Sequence, residues 1–311
     1  MVYYNLYFFI LANILLLLIC LISGILFRKS KLLPENSHVI LNNIIMYICL
    51  PALALLYIPE LKVSTKIIYP LIVTYIVFGL AVVFFIFIGK IFKLDSSTVG
   101  ALILTAGLCN TSFVGFPVLI ALFGEEGLKV GVLIDQAGSF VILATFGTII
   151  ASIYSHGKID YRNIIKKILV YPSFIAFILG IILNIFNFHF EGVLKDLLEK
   201  AGSPMAFLAL ISVGLQLKVS LKDLPVRELL TGLSYKLIIA PLVIYILFFV
   251  VMKGSGLDVQ VSLIEVAMPP MVMGAVLASS FNLNPKLANL MVGIGIPLSF
   301  FTLAIWYFII K

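Results

Sequence analysis

Three formal charges, Asp135, Lys236 and Glu265, lie inside otherwise apolar runs of the chain. A charge near the centre of a membrane helix costs roughly 2.5–3.5 kcal/mol on insertion scales, so such groups face a cavity or one another and mark ion or substrate paths. Asp135, with Gln136 beside it, and Glu265 are of the type that takes up H⁺ or Na⁺, and Lys236 is of the type that offers a countercharge to an anion. The alternative is a structural ion pair locking two helices. Asn110-Thr111-Ser112 adds uncharged polar groups. Thr111 and Ser112 can satisfy their hydroxyls on the preceding turn of their own helix. The Asn110 amide needs partners and offers both donors and acceptors.

These residues sit where helices are expected to break. Gly107 to Pro117 lies inside an apolar run, yet Pro117 lacks an N–H and frees the Phe113 carbonyl, while Gly107 and Gly115 weaken the flanking turns. Met268-Pro269-Pro270-Met271 is a second such break, and its prolines free the carbonyls of Glu265 and Val266 to hold a cation or a water. Lipid cannot satisfy freed backbone groups, so irregular backbone at membrane depth must be buried in protein or line a cavity. Half-helix N-termini there present N–H groups and partial positive charge, which suits a carboxylate. Two broken spans in corresponding halves are the best sequence pointer to a transporter's binding site.

The composition agrees. The chain has 311 residues, 62% hydrophobic and 11% charged, with a mean hydropathy of +1.21, and reads as an all-α polytopic membrane protein. Its net charge of +7 is read as cytoplasmic-loop bias and not as nucleic-acid binding. Cys20, Cys49 and Cys109 fit no disulfide or metal spacing and read as small packing residues. The run from Leu6 to Phe27 reads as a retained first span. His38, His156 and His189 are scattered, so no metal is expected, and no phosphate-binding glycine loop or nucleophile–base pairing points to an ATPase or an enzyme. No cofactor is expected beyond a coupling H⁺ or Na⁺.

Apolar runs of spanning length predict ten transmembrane helices, at 6–27, 39–58, 67–92, 97–123, 128–154, 168–188, 201–218, 226–252, 258–281 and 286–310. The polar connector 155–167 divides the chain into a first repeat, 1–154, and a second, 168–311. With the N-terminus outside, 13 basic residues fall on the cytoplasmic side and 7 on the outer side, so both termini are expected outside the cell membrane. Five spans per half make any repeat inverted. Leu50-Pro51-Ala52 matches Ser203-Pro204-Met205, and the breaks of the fourth and ninth spans correspond.

Asn110-Thr111-x-x-x-Gly115-x-Pro117 resembles the fourth-span motif of the auxin efflux carrier family, PIN-like carriers with many compact prokaryotic relatives. The resemblance extends through Leu50-Pro51-Ala52, Ser203-Pro204-Met205-Ala206, Val213-Gly214-Leu215, Ala267-Met268-Pro269 and Gly295-Ile296-Pro297. It implies a ten-span inverted repeat similar to bile-acid symporters and Na⁺/H⁺ antiporters, with the fourth and ninth spans crossing. It also implies a transport domain of spans 3–5 and 8–10, and a scaffold of spans 1, 2, 6 and 7 through which a homodimer forms. By the same resemblance Asn110, Pro117 and Pro269 belong to the crossover site. Glu265 and the Pro269-Pro270 pair do not map onto the family pattern.

The resulting expectation is a secondary transporter of a small organic anion, a mono- or dicarboxylate, by alternating access. Asn110, Thr111, Gly115, Pro117, Lys236, Pro269 and Pro270 are its candidate substrate residues, and Asp135, Gln136 and Glu265 its ion-coupling residues. A Na⁺- or H⁺-coupled symporter and a membrane ligand sensor are the alternatives.

Overall fold

Long apolar runs with few charges leave the backbone one way to satisfy itself in lipid, which is helix. The computed structural model describes residues 2–34, 36–62, 64–155, 162, 166, 169–217 and 224–311, and among them every regular element is helical. The elements are α1 (Val2–Ser30), α2 (Ser37–Tyr57), α3 (Thr65–Phe92), α4 (Ser96–Ala106), α5 (Thr111–Tyr154), α6 (Pro172–Ile185), α7 (Gly192–Gln216), α8 (Val226–Val251), α9 (Leu257–Val266), α10 (Val272–Ser280) and α11 (Pro285–Ile310). Among the described residues, six of these, α2, α3, α5, α7, α8 and α11, are long and apolar enough to cross a membrane. Most of the connector 155–167 lies outside the described residues.

The chain forms two compact units. The first comprises 1–64, 112–136 and 169–217, and the second 65–111, 137–168 and 218–311. Segment 112–136, the first half of α5, thus falls with α1, α2, α6 and α7. The two ranges expected to contain breaks are interrupted: 97–123 becomes α4 and the start of α5, and 258–281 becomes α9 and α10. Gly124, at φ +66°, makes the turn within α5, a left-handed conformation that glycine takes without a Cβ clash. The helix before Ser203-Pro204 starts earlier than expected, at Gly192. Its charged residues Lys195, Asp196, Glu199 and Lys200 hide it from a hydropathy reading, while Val193, Leu194 and Leu197 remain exposed.

Helix faces sort as lipid demands. On α3, Thr74, Val77, Phe78, Ala81 and Phe85 are buried, whereas Val83, Phe87 and Ile91 are exposed at four-residue spacing. On α11, Phe301, Ile305 and Phe308 form a similar outward stripe. In the first unit, α1 and α7 cross backbone to backbone at Gly24 and Gly214. A Cβ on Gly24 would lie 2.3 Å from the Ile211 carbonyl, and one on Gly214 would lie 2.3 Å from the Leu21 carbonyl. Asn184 of α6 donates its amide to the carbonyls of Ile58, Pro59 and Leu61, closing the end of α2.

Between α3 and α4, Lys93 turns the chain through a left-handed residue, and Asp95 caps α4 by accepting from the Thr98 N–H (3.0 Å) and the Ser97 hydroxyl (2.6 Å). Partial burial works to raise the Asp95 carboxyl, but the hydrogen bonds from Ser97 and Thr98 outweigh it and hold the group below its ordinary value of 3.8.

Two expectations follow for the purified protein in detergent. Gly24→Ala or Gly214→Ala lowers stability by about 1–3 kcal/mol through overpacking, read as a lower melting midpoint. Gly79→Ala, with nothing within 4 Å of its added Cβ, leaves the midpoint unchanged or raises it. The Asp95 cap stabilises above the carboxyl's unfolded pKa and is lost as pH falls through its lower folded value. Asp95→Ala therefore costs about 1 kcal/mol at neutral pH, and the difference from wild type vanishes in acid.

Candidate functional site

The second unit holds both helix interruptions. Helix α4 stops at Ala106 with Gly107 as its C-cap, and α9 stops at Val266. The segments that follow pair as a short extended ladder: the Asn110 N–H donates to the Pro269 carbonyl (3.1 Å), and Cys109 and Pro270 form an isolated antiparallel bridge. Proline contributes a carbonyl but no N–H, so Pro269 serves as an acceptor, and the two prolines stop the pairing from growing. The interruption in the fourth predicted span is thus 107–110 and not Pro117. Thr111–Gly115 is a π-turn, and Pro117 is the second residue of the regular stretch Phe116–Ile134, where a missing N–H costs little.

Close packing fixes this junction. A Cβ on Gly295 of α11 would lie 2.7 Å from the Pro270 ring, and one on Gly274 of α10 would lie 2.3 Å from the Leu104 carbonyl of α4. Only glycine allows these approaches. The side chains at the junction are polar and buried. Asn110 and Thr111 are shielded from solvent, and the Asn110 Nδ2 has no hydrogen-bond partner. No side chain caps the N-terminus of α10, which starts immediately beyond Pro270-Met271.

Lys236 enters from α8 and is fully buried at 0% exposure. Its ammonium donates to the Val266 carbonyl (3.0 Å), the last residue of α9, and to the Cys109 sulfur (2.8 Å). One carbonyl freed by the proline pair is therefore held by a lysine, and the other, Glu265, accepts from the Met268 N–H (3.3 Å). Lys236 lies in a π-turn, Tyr235–Ile239, which its neighbours clamp: the Tyr235 hydroxyl donates to the Val77 carbonyl (2.8 Å) and the Trp306 indole to the Leu237 carbonyl (3.0 Å). Glu265 is fully buried in the last turn of α9.

The first unit holds Asp135, Gln136, Gly115 and Pro117. The Ser112 hydroxyl donates to Asp135 Oδ1 (2.5 Å), the Gln136 amide to Asp135 Oδ2 (2.8 Å), and the Ser173 hydroxyl to Gln136 Oε1 (3.1 Å). All four side chains are buried, Asp135 at 3% exposure. Sequence reasoning missed two participants. Cys109 read as packing, and only its place beside Asn110 hinted otherwise. Ser173 follows Pro172 at a helix start and carried no signal, because its partner is 37 residues away in the chain.

Lys236→Met keeps the stem but leaves the Val266 carbonyl without its donor. The expected loss is about 1–3 kcal/mol for an unsatisfied buried group, seen as a lower melting midpoint. Lys236→Arg does not restore it, since a planar fork differs in shape from a point ammonium. An unchanged midpoint in Lys236→Met would remove the ammonium from the junction's support.

Comparison with known proteins agrees with this picture. The family model described as membrane transport protein matches residues 8–307. An uncharacterised transporter of Methanocaldococcus jannaschii is 28% identical over 304 residues, covering 96% of this chain and 97% of its own. Another uncharacterised transporter, from Methanothermobacter thermautotrophicus, is 26% identical over 300 residues, covering 94% of this chain and 96% of its own. With its broken helices, inward-facing charges and a match across nearly its whole length, the chain belongs to the membrane transport protein family, the PIN-like auxin efflux family that the Asn110–Pro117 motif resembles.

Proposed function

We propose that the protein is a secondary transporter of a small organic anion, a mono- or dicarboxylate, which binds at the junction of α4, α9 and α10. The observation that carries this reading is the Asn110 amide, whose Nδ2 is buried at a helix interruption with no acceptor. A buried donor left unsatisfied costs about 1–3 kcal/mol, and a carboxylate oxygen is the complement that removes the cost. The uncapped N-terminus of α10 adds further N–H groups and the positive end of a helix dipole. Lys236 supports the site from behind, neutralising the carbonyl end of α9 so that an approaching anion does not meet it.

In this reading the protein works by alternating access, as efflux carrier or exchanger. It lies in the cell membrane with both termini outside. The unit that carries the junction is the moving body. A Na⁺ symporter using Glu265 and the freed carbonyls is the second reading. It is less well supported, because the Val266 carbonyl it needs as a ligand is held by the Lys236 ammonium.

A thermal-shift panel of mono- and dicarboxylates, run in Na⁺ and in choline, is expected to identify a stabilising carboxylate in both salts. Asn110→Ala then weakens its binding about tenfold, the equivalent of one lost hydrogen bond of about 1.4 kcal/mol, with the protein still monodisperse. Stabilisation only in Na⁺ would favour the symporter reading. Counterflow of the same anion in proteoliposomes separates a transporter from a sensor, which gives none.

A further inference from the structure

Asp135 begins a π-turn, Asp135–Phe140, in the middle of α5. Its two carboxylate oxygens are served by donors of different kinds. Oδ2 accepts from the Gln136 Nε2, and the Gln136 Oε1 accepts the Ser173 hydroxyl. In this arrangement the arm donates to the carboxylate. Oδ1 accepts from the Ser112 hydroxyl at 2.5 Å, and a hydroxyl can be donor or acceptor by rotating about one bond.

We propose that Asp135 is a reversible proton-binding site, with the proton on Oδ1 and Ser112 as the group that reads it. When Asp135 is ionised, Ser112 donates to it, as the structure shows. When a proton binds, the new O–H on Oδ1 donates to Ser112 Oγ, and the serine hydroxyl hydrogen rotates away from Oδ1. The Gln136–Ser173 arm stays as it is. Ser112 lies in the opening π-turn of α5, just past the interruption at 107–110, so the protonation state is written onto the first turn of that helix.

A proton suits this site better than a hard metal cation. Such cations take about six oxygen ligands, whereas the fixed arm turns an N–H, not an oxygen, toward the carboxylate. The titratable groups around Asp135 are few. The Tyr171 phenol at the start of α6 lies close enough to feel its charge, with Tyr47 of α2 beyond it at 6.4 Å between ring centroids. The ion pairs of this unit join Glu60, past the end of α2, with Lys195 in the first turn of α7 and with Lys129. Lys129 also pairs with Glu126 just after the Gly124 turn of α5 and lies six positions before Asp135. A coupling role for the proton rests on the transport reading above, but protonation of Asp135 does not, and the test keeps them apart.

The test is infrared difference spectroscopy of the full-length protein in nanodiscs, without any substrate, as pH falls from about 9 to about 5. A protonated-carboxyl C=O band is expected to grow, to shift on ¹³C-aspartate labelling of the unaltered chain, and to be absent in Asp135→Asn. In Ser112→Ala the band changes position, because its O–H has lost the serine acceptor. No aspartate-derived band in the labelled wild type would overturn the proposal, as would a band untouched by Asp135→Asn. A band that Na⁺ removes at constant pH would make the site one for Na⁺ and overturn the proton assignment. If the site titrates, exchange of the anion in proteoliposomes tests coupling separately: its pH dependence is expected to flatten in Asp135→Asn.

Discussion

In a medium without water, a carbonyl or N–H that leaves a helix must find a partner in protein, and the second unit is organised around that requirement. Two helices stop there, and each exposes main chain. The interrupting segments 107–110 and 267–271 answer one another through the Asn110 N–H and the Pro269 carbonyl, while Lys236 takes the Val266 carbonyl. The glycines at 274 and 295 let α10 and α11 close over the pair. Remove any of these and a buried polar group is stranded at a cost of about 1–3 kcal/mol. The site exists because the breaks are mutually satisfied, with the Asn110 side-chain amide left over.

Lys236 and Asp135 each meet a group near a helix end. Lys236 reaches the last carbonyl of α9, where a helix is partially negative, and Asp135 accepts from Ser112 in the first turn of α5, where a helix is partially positive. Lys236 therefore stabilises the backbone terminus it meets, whereas Asp135 is held by the side chains of Ser112 and Gln136.

Several of these features were legible from residues alone. The helix ranges follow the apolar runs to within a few residues, apart from the hidden start of α7, and the two interruptions fall within the runs expected to contain breaks. Asn110, Asp135, Lys236 and Glu265 stood out because polar groups are costly in lipid, and the structure buries all four. The inference from Pro117 went astray because a proline's effect depends on its position in a helix. Pro117 follows the opening π-turn of α5 without stopping the helix, and the actual interruption at 107–110 is paired with Pro269, 159 positions from Asn110. The reading of Lys236 as a countercharge for an anion stopped short for a related reason: the donors of an ammonium go to whatever acceptors folding brings within 3 Å.

What the sequence determined by itself was the solvent and the element type, because hydropathy and the need to close backbone hydrogen bonds locally are properties of each short stretch. It also named the few polar residues too costly to be accidental. Tertiary structure decided where the helices stop and which group each polar residue meets: Asn110 with Pro269, Lys236 with Val266, Asp135 with Ser112 and, through Gln136, Ser173. Those pairings join residues 23 to 159 positions apart, and no local rule carries information over such distances. They are set by which helices pack, and packing depends on small residues such as Gly274 and Gly295 whose importance is invisible until their neighbours are in place.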